Sequence, residues 1–278
     1  MNSIQSDYLL AKEAAIEAGK IVMKYFQTSS YEIKDKSINN PVTTADYEAN
    51  QIIKDTLFKE DHDYGWLSEE TVDSKERLKK ENIWVVDPID GTKEFIEGVP
   101  HFSISIGMVS NGKPVIGVIY NPAKNELFSA FKGGGSMLNE EPIHCLSDNS
   151  LRTIMVSRSE IKRGMWNNYG EKFSEIIPIG SVAYKLGLVA AGRASFFATL
   201  QPKNEWDVCA GDCILSEAGG SLIDLYGKNR SYNLIDTKIR PGLIAGYNNH
   251  LKELLETCLL YTSPSPRDRT RSRMPSSA

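Results

Sequence analysis

Trp84-Val85-Val86-Asp87-Pro88-Ile89-Asp90-Gly91-Thr92 joins an apolar run to two carboxylates set three residues apart. The spacing predicts a buried strand over 83–86 that stops where Pro88, which lacks an amide hydrogen, turns the chain. Gly91 then permits a backbone conformation that other residues resist. Both acids leave one rigid corner. Clustered carboxylates repel unless a cation sits between them, and a hard divalent ion such as Mg²⁺ takes oxygen ligands of this kind. The same string is also ordinary turn chemistry, because Asp-Pro and Asp-Gly pairs cap helices and close loops.

Two further acidic stations shift the weight towards a metal. Leu67-Ser68-Glu69-Glu70 follows a short apolar stretch upstream, and Trp206-Asp207 opens Val208-Cys209-Ala210-Gly211-Asp212, which runs on into an apolar helical pattern. L-S-E-E, W-V-V-D-P-I-D-G-T and E-W-D-V-C-A-G-D together resemble the inositol monophosphatase family. Its members are Mg²⁺-dependent, lithium-sensitive phosphatases of inositol phosphates, bisphosphate nucleotides and fructose 1,6-bisphosphate. The resemblance covers residues 5–257 and implies a layered αβαβα sandwich, α+β or α/β in class, with the metals at the seam between its halves. Lys93-Glu94-Phe95-Ile96, after the D-P-I-D-G-T run, looks most like the 3'(2'),5'-bisphosphate nucleotidase branch, the CysQ-like enzymes of sulfur metabolism. That branch implies adenosine 3',5'-bisphosphate as substrate. Inositol monophosphatase or fructose 1,6-bisphosphatase activity is the alternative. A non-catalytic binding protein on the same fold would have lost one of the metal acids, and all are present.

Position by position, the resemblance makes Glu69, Asp87, Asp90 and Asp207 side-chain ligands of two or three Mg²⁺ ions, joined by the Ile89 carbonyl. Glu70 is expected to point elsewhere on an extended chain. Pro41-Val42-Thr43-Thr44-Ala45-Asp46 matches a further family motif. Its Asp46 would help hold an additional ion, partly through water, and would orient the nucleophile with Glu69 and Thr92. Alone, Asp46 reads as a helix N-cap, and both roles can hold. Phosphoryl transfer to water needs no side-chain nucleophile. Asp90, Gly91, Thr92 and Asp207 are also expected to face substrate, the amides around Gly91 and Thr92 opening a helix that could cradle phosphate. Segments carrying Arg158, Ser181 and Lys185 match the branch's substrate side, and Arg158 and Lys185 could hold a second phosphate. Each lone basic residue reads equally well as a solvated charge. Glu205 could bond a sugar hydroxyl.

Other patterns carry no chemistry. His62, His101, His144 and His250 are scattered without metal spacing. Cys209 and Cys213 share one helix face and read as small buried hydrophobes, and Gly133-Gly134-Gly135 reads as a hairpin turn. At 278 residues, 41% hydrophobic and 24% charged, the chain can bury a full core. A net charge of −4 offers no general attraction for nucleic acid. No apolar run reaches membrane-spanning length, no signal-peptide core opens the chain, and the cysteines lack a disulfide framework, so a cytoplasmic protein is expected, and the resemblance implies a monomer or homodimer acting on a small phosphorylated substrate.

Helical spacing is expected at 6–27, 45–59, 160–172, 181–192 and 207–218. Strands are expected at 83–86, 102–109, 114–120, 126–131, 153–157, 176–179 and 194–199, with Asn111-Gly112 as a hairpin turn. These divide into an α+β half over 1–150, which carries most metal ligands, and an α/β half over 151–262, which carries Asp207. Residues 263–278 hold four arginines and one aspartate, a charge of +3 that leaves −7 on the rest, and read as a disordered, non-native extension.

Overall fold

Helix α1 (Ser3–Thr28) opens the fold, and a narrow stripe of small residues decides how it packs. Ala11, Ala14, Ala15, Ala18 and Val22 are buried, whereas the larger apolar residues Leu9 and Ile16 are exposed at 48% and 38%. Alanine lets the helix axis lie close to the layer beneath. The computed structural model describes residues 3–37, 40–59, 62–148 and 152–259; the basic tail over 263–278 lies outside them.

A hairpin of β1 (Ile33–Ser37) and β2 (Asn40–Thr43) leads into α2 (Thr44–Leu57), which packs beside α1. Seven strands follow in the first sheet, in spatial order β3 (Gly65–Ser68), β4 (Asn82–Asp90), β5 (Ser103–Ser110), β6 (Lys113–Asn121), β7 (Glu126–Phe131), β8 (Ser136–Leu138) and β9 (Glu141–Ile143). Only β3 and β4 pair in parallel. The two-residue period of a strand sorts side chains between the sheet's faces. Trp84 and Val86 of β4 join α1 and α2, while Ile83 and Val85 join the opposite core. A short helix, α3 (Thr92–Ile96), interrupts the passage from β4 to β5. The second sheet has the order β11 (Glu175–Ile179), β10 (Thr153–Ser157), β12 (Phe196–Thr199), β16 (Leu243–Tyr247) and β14 (Gly220–Asp224), and β13 (Lys203–Asn204) and β15 (Lys238–Ile239) form a separate two-stranded ribbon. Helices α5 (Val182–Ala190) and α6 (Glu205–Glu217) lie between the sheets in one shared core. The outer face of the second sheet is covered by Trp166, Tyr169 and Phe173 and by Leu251 and Leu254 of α7 (Asn248–Leu259). Helix pair, sheet, helix pair, sheet and outer cover make the expected αβαβα sandwich.

Two expectations needed correction. The strand expected over 83–86 does not stop at Pro88: β4 continues to Asp90 through an irregularity between Asp87 and Asp90, where proline forfeits no ladder bond. The helix expected over 160–172 breaks into α4 (Arg158–Lys162) and a 3₁₀ turn over Asn167–Lys172. Gly164 at φ +70° ends the first piece, and buried Trp166 and Tyr169 had supplied the apolar spacing. Cys209 and Cys213 are buried as expected, and Gly133–Gly135 turns between β7 and β8. Among the described residues no helix is long and apolar enough to cross a membrane.

Candidate metal centre

Register places the first two acids side by side. β3 and β4 run in parallel with Ser68 opposite Val86, and the Glu69 amide donates to the Val86 carbonyl at 3.2 Å. Glu69 therefore leaves β3 level with Asp87. Asp207 arrives from the other side, on the first turn of α6. This helix can approach the first sheet closely because Gly117 has no side chain; a Cβ there would stand 2.2 Å from the Ala210 carbonyl oxygen. Ser105 of β5 donates to the Trp206 carbonyl at 3.2 Å, and the Asn204 amide donates to Asp207 Oδ2 at 2.7 Å, which fixes the carboxylate. Glu69, Asp87 and Asp207 consequently offer oxygens that all lie within 4.8 Å of one another.

Asp90 lines the same cleft. Its Oδ2 accepts from Ser181 Oγ and from the Ala183 amide, both at 2.6 Å, at the start of α5. Ser181 holds this post at φ +54°, an uncommon conformation outside glycine. Gly91 sits at φ +100°, where a Cβ would meet the His101 carbonyl oxygen at 2.9 Å, so the turn into α3 is closed to other residues. Thr92 Oγ1 lies 3.2 Å from Asp46 Oδ1 and 3.1 Å from the Ile89 carbonyl. Asp46 is not the N-cap expected from sequence. Thr43 takes that position, and its amide and hydroxyl donate to Asp46 Oδ2 at 2.7 and 2.6 Å, so Asp46 is the returning acid of a capping box.

Electrostatics mark the cluster as a cation site. Burial, then repulsion from Glu69 and Asp90, holds the Asp87 carboxyl well above the usual range. Burial and the neighbouring Asp90 push Asp207 up to about 7, and burial pushes Asp46 up to about 6. Among the described residues no lysine or arginine forms an ion pair with Asp87 or Asp207. The donor set, carboxylates with a nearby main-chain carbonyl, fits Mg²⁺, and a divalent ion would relieve the strain of gathering these charges. One cation already reaches the group: Lys36 Nζ lies 2.7 Å from Glu69 Oε1 and 2.7 Å from Glu70 Oε1. Glu70 thus does not point away as an extended chain would require, because the chain turns after Ser68 and both glutamates converge on one ammonium.

The expected substrate contacts fare differently. Lys185 is buried, and its ammonium donates to the Ile179, Gly180 and Ser181 carbonyls at 2.9, 3.3 and 2.6 Å, so it braces the entry to α5 outside the cleft lining. Ser181 is likewise spent on Asp90. Glu205 is buried, accepts from the Asn233 and Leu234 amides, and lies outside the cleft lining. Arg158 pairs with Glu94 at 3.1 Å and Glu97 at 2.8 Å, behind the cleft wall. Lys93, Lys203 and Lys238 line the cleft instead. Lys93, which opens the K-E-F-I run, and Lys203, two residues before the E-W-D motif, had a signal in the sequence, whereas Lys238 had none.

A carboxylate cluster at the seam of two sheets, opening on a cleft of about 390 Å³, is the arrangement a divalent-cation-dependent hydrolase needs. The chain belongs to the inositol monophosphatase family, whose profile matches residues 4–257 and whose members are generally Mg²⁺-dependent phosphatases. It is 33% identical over 257 residues to inositol monophosphatase 2 of Solanum lycopersicum, covering 88% of this chain and 94% of that protein. It is also 33% identical over 228 residues to the Nus factor SuhB of Pasteurella multocida (strain Pm70), covering 78% and 85%. The crystal structure of CysQ from Bacteroides thetaiotaomicron superimposes with a TM-score of 0.74 at 28% identity, covering 87% of this chain and 97% of that one.

Proposed function

We propose that the chain is a Mg²⁺-dependent phosphomonoesterase that hydrolyses 3'(2'),5'-bisphosphate nucleotides, converting adenosine 3',5'-bisphosphate to AMP and phosphate. The observation that carries the reaction class is the convergence of Glu69, Asp87 and Asp207 on one cleft, with Asp90 and Thr92 beside them. Glu69, Asp87, Asp90, Asp207 and the Ile89 carbonyl would hold the ions, with Asp46 behind them. Bound Mg²⁺ supplies charge neutralisation and Lewis-acid polarisation of the phosphoryl oxygens. The Thr92 hydroxyl, its proton directed to Asp46 or to the Ile89 carbonyl, presents lone pairs that orient an attacking water. Glu69 is placed to receive that water's proton. A bond from water oxygen to phosphorus forms as the bond to the leaving sugar oxygen breaks. Thr92→Ala should therefore lower kcat about ten- to hundredfold while leaving the half-saturating Mg²⁺ concentration nearly unchanged. Steady-state phosphate release across a Mg²⁺ titration checks this, and an equal loss of Mg²⁺ affinity would remove Thr92 from the role.

Two observations support the nucleotide. The K-E-F-I run resembles the nucleotidase branch, and Lys93, Lys203 and Lys238 line the cleft where a second phosphate would need cations. A charge-assisted contact worth about 1.5–3 kcal/mol corresponds to a ten- to hundredfold preference in kcat/KM. Phosphate release from adenosine 3',5'-bisphosphate, inositol 1-phosphate and fructose 1,6-bisphosphate should rank the nucleotide first by about that factor, and Lys238→Ala should narrow the gap. Li⁺ should inhibit. If inositol 1-phosphate is the better substrate, the nucleotidase assignment fails and the metal-dependent chemistry stands.

A further inference from the structure

Arg77 and Glu205 are charged residues only 2% and 1% exposed, and neither lies in the cleft lining. They stand between the elements that deliver Glu69 and Asp207. Arg77 donates through Nε and Nη2 to the Asp73 carboxylate at 3.1 and 2.8 Å. Across the seam, Nη1 donates to Asn233 Oδ1 at 2.7 Å and Nη2 to the Leu234 carbonyl at 2.9 Å, while Asn233 Nδ2 returns a bond to the Arg77 carbonyl at 3.2 Å. The amides of Asn233 and Leu234 in turn donate to the Glu205 carboxylate at 2.8 and 2.9 Å, and the Glu205 amide donates to the Thr237 carbonyl at 3.0 Å. Asp73 follows Glu69 by four residues, and Glu205 precedes Asp207 by two. The backbone of Arg77 also abuts the first residue of β3: a Cβ on Gly65 would stand 3.1 Å from Arg77 Cα. A continuous set of bonds therefore runs from the Glu69 turn through Arg77 and the 233–234 segment to the first turn of α6.

We propose that Arg77, Asn233 and Glu205 are positioning residues that set the separation of Glu69 from Asp207 and thereby the affinity of the site for its divalent cation. This deepens the metal reading and rests on it. Gathered carboxylates repel; β3 is held by its ladder to β4 and α6 by its seat on β5 and β6, so each acid is placed through its own element, and a bond set that ties those elements to each other fixes the remaining freedom between them. The strap supplies that restraint from outside the cleft, where its donors cannot compete for the ion. Arg77 is paired with Asp73 and Glu205 accepts two main-chain amides, which offsets the cost of burying these charges. Supporting groups of this kind tune metal affinity because a cation tolerates little error in the placement of its ligands.

A purely structural strap and a positioning strap predict different results. Mn²⁺ affinity, read from the electron paramagnetic resonance signal of the free ion, is compared with thermal unfolding in EDTA for wild type, Glu205→Gln, Asn233→Ala and Arg77→Lys. The expected result is a Mn²⁺ dissociation constant raised about tenfold in each variant, at a temperature where all are folded. The half-saturating Mg²⁺ for phosphate release should rise in parallel, with kcat at saturating Mg²⁺ nearly unchanged. Lower melting temperatures with a wild-type Mn²⁺ constant would overturn the proposal. If Arg77→Lys fails to fold, Glu205→Gln, identical in shape, decides the matter. A wild-type chain that binds Mn²⁺ but cleaves no phosphate ester sinks the phosphatase reading and leaves the Mn²⁺ comparison to judge the strap.

Discussion

Asp207→Asn is expected to abolish phosphate release, lowering kcat by about three orders of magnitude or more, and to weaken Mn²⁺ binding at least about tenfold. The substitution keeps shape and removes charge, so a loss cannot be blamed on a cavity. Its effect on stability should run the other way. Burial and Asp90 raise the Asp207 carboxyl from 3.8 to about 7 in the folded chain, so the native state resists its ionisation. Below pH 3.8 both folded and unfolded chains are protonated and the penalty is absent; it grows as pH rises and is complete above about 7. In EDTA at pH 8 the neutral asparagine should therefore melt no lower than wild type, and any advantage should vanish near pH 4. Activity assays beside melting curves measure both arms. A variant with wild-type turnover would end the metal-site reading.

Lys185→Ala should be the most destabilising of the substitutions considered. The buried ammonium satisfies three main-chain carbonyls at the entry to α5 and lies 5.8 Å from the centre of the Phe197 ring. Burial pulls its pKa down to about 8, with Asp90 opposing, yet it stays largely charged at neutral pH. Truncation strands those carbonyls and opens a cavity, a loss of about 3–5 kcal/mol, or a fall in Tm of about 10 °C. Thermal unfolding measures it. The preference for bisphosphate over monophosphate should not move, since the ammonium does not line the cleft. A changed preference at unchanged Tm would restore Lys185 as a substrate contact.

What could be read in advance follows the range of the forces involved. The strands at β4, β5, β6 and β7 were legible because long apolar runs between turn residues have one stable solution, and Asn111-Gly112 does turn the hairpin, with φ of +49° and +74°. The three-residue strands β8 and β9 were not, because so few residues carry no periodicity. At the site, Glu69, Asp87, Asp90 and Asp207 were named from motif resemblance, and the structure brings all of them to one cleft. The residues harder to place are charged ones whose partners are hidden. Sequence shows the charges of Lys185, Arg158 and Glu205 but not the carbonyls, carboxylates and amides that the structure sets against them. Arg77 escaped notice for the same reason, since its partners at 233 and 234 are remote in the chain.

The parallel pairing that sets Glu69 beside Asp87, and the helix that brings Asp207 to them, make ion capture a timer for folding. The first two acids can meet once β3 and β4 have paired, but the third must wait until a chain of well over a hundred residues has closed and α6 has docked on Gly117. Contacts so distant in sequence form late, because their closure entropy is repaid only near the native state. During refolding, Mn²⁺ uptake should lag behind the recovery of backbone structure. Because the ion binds only the completed seam, it would act chiefly as a latch that slows opening and contribute little to the rate of assembly.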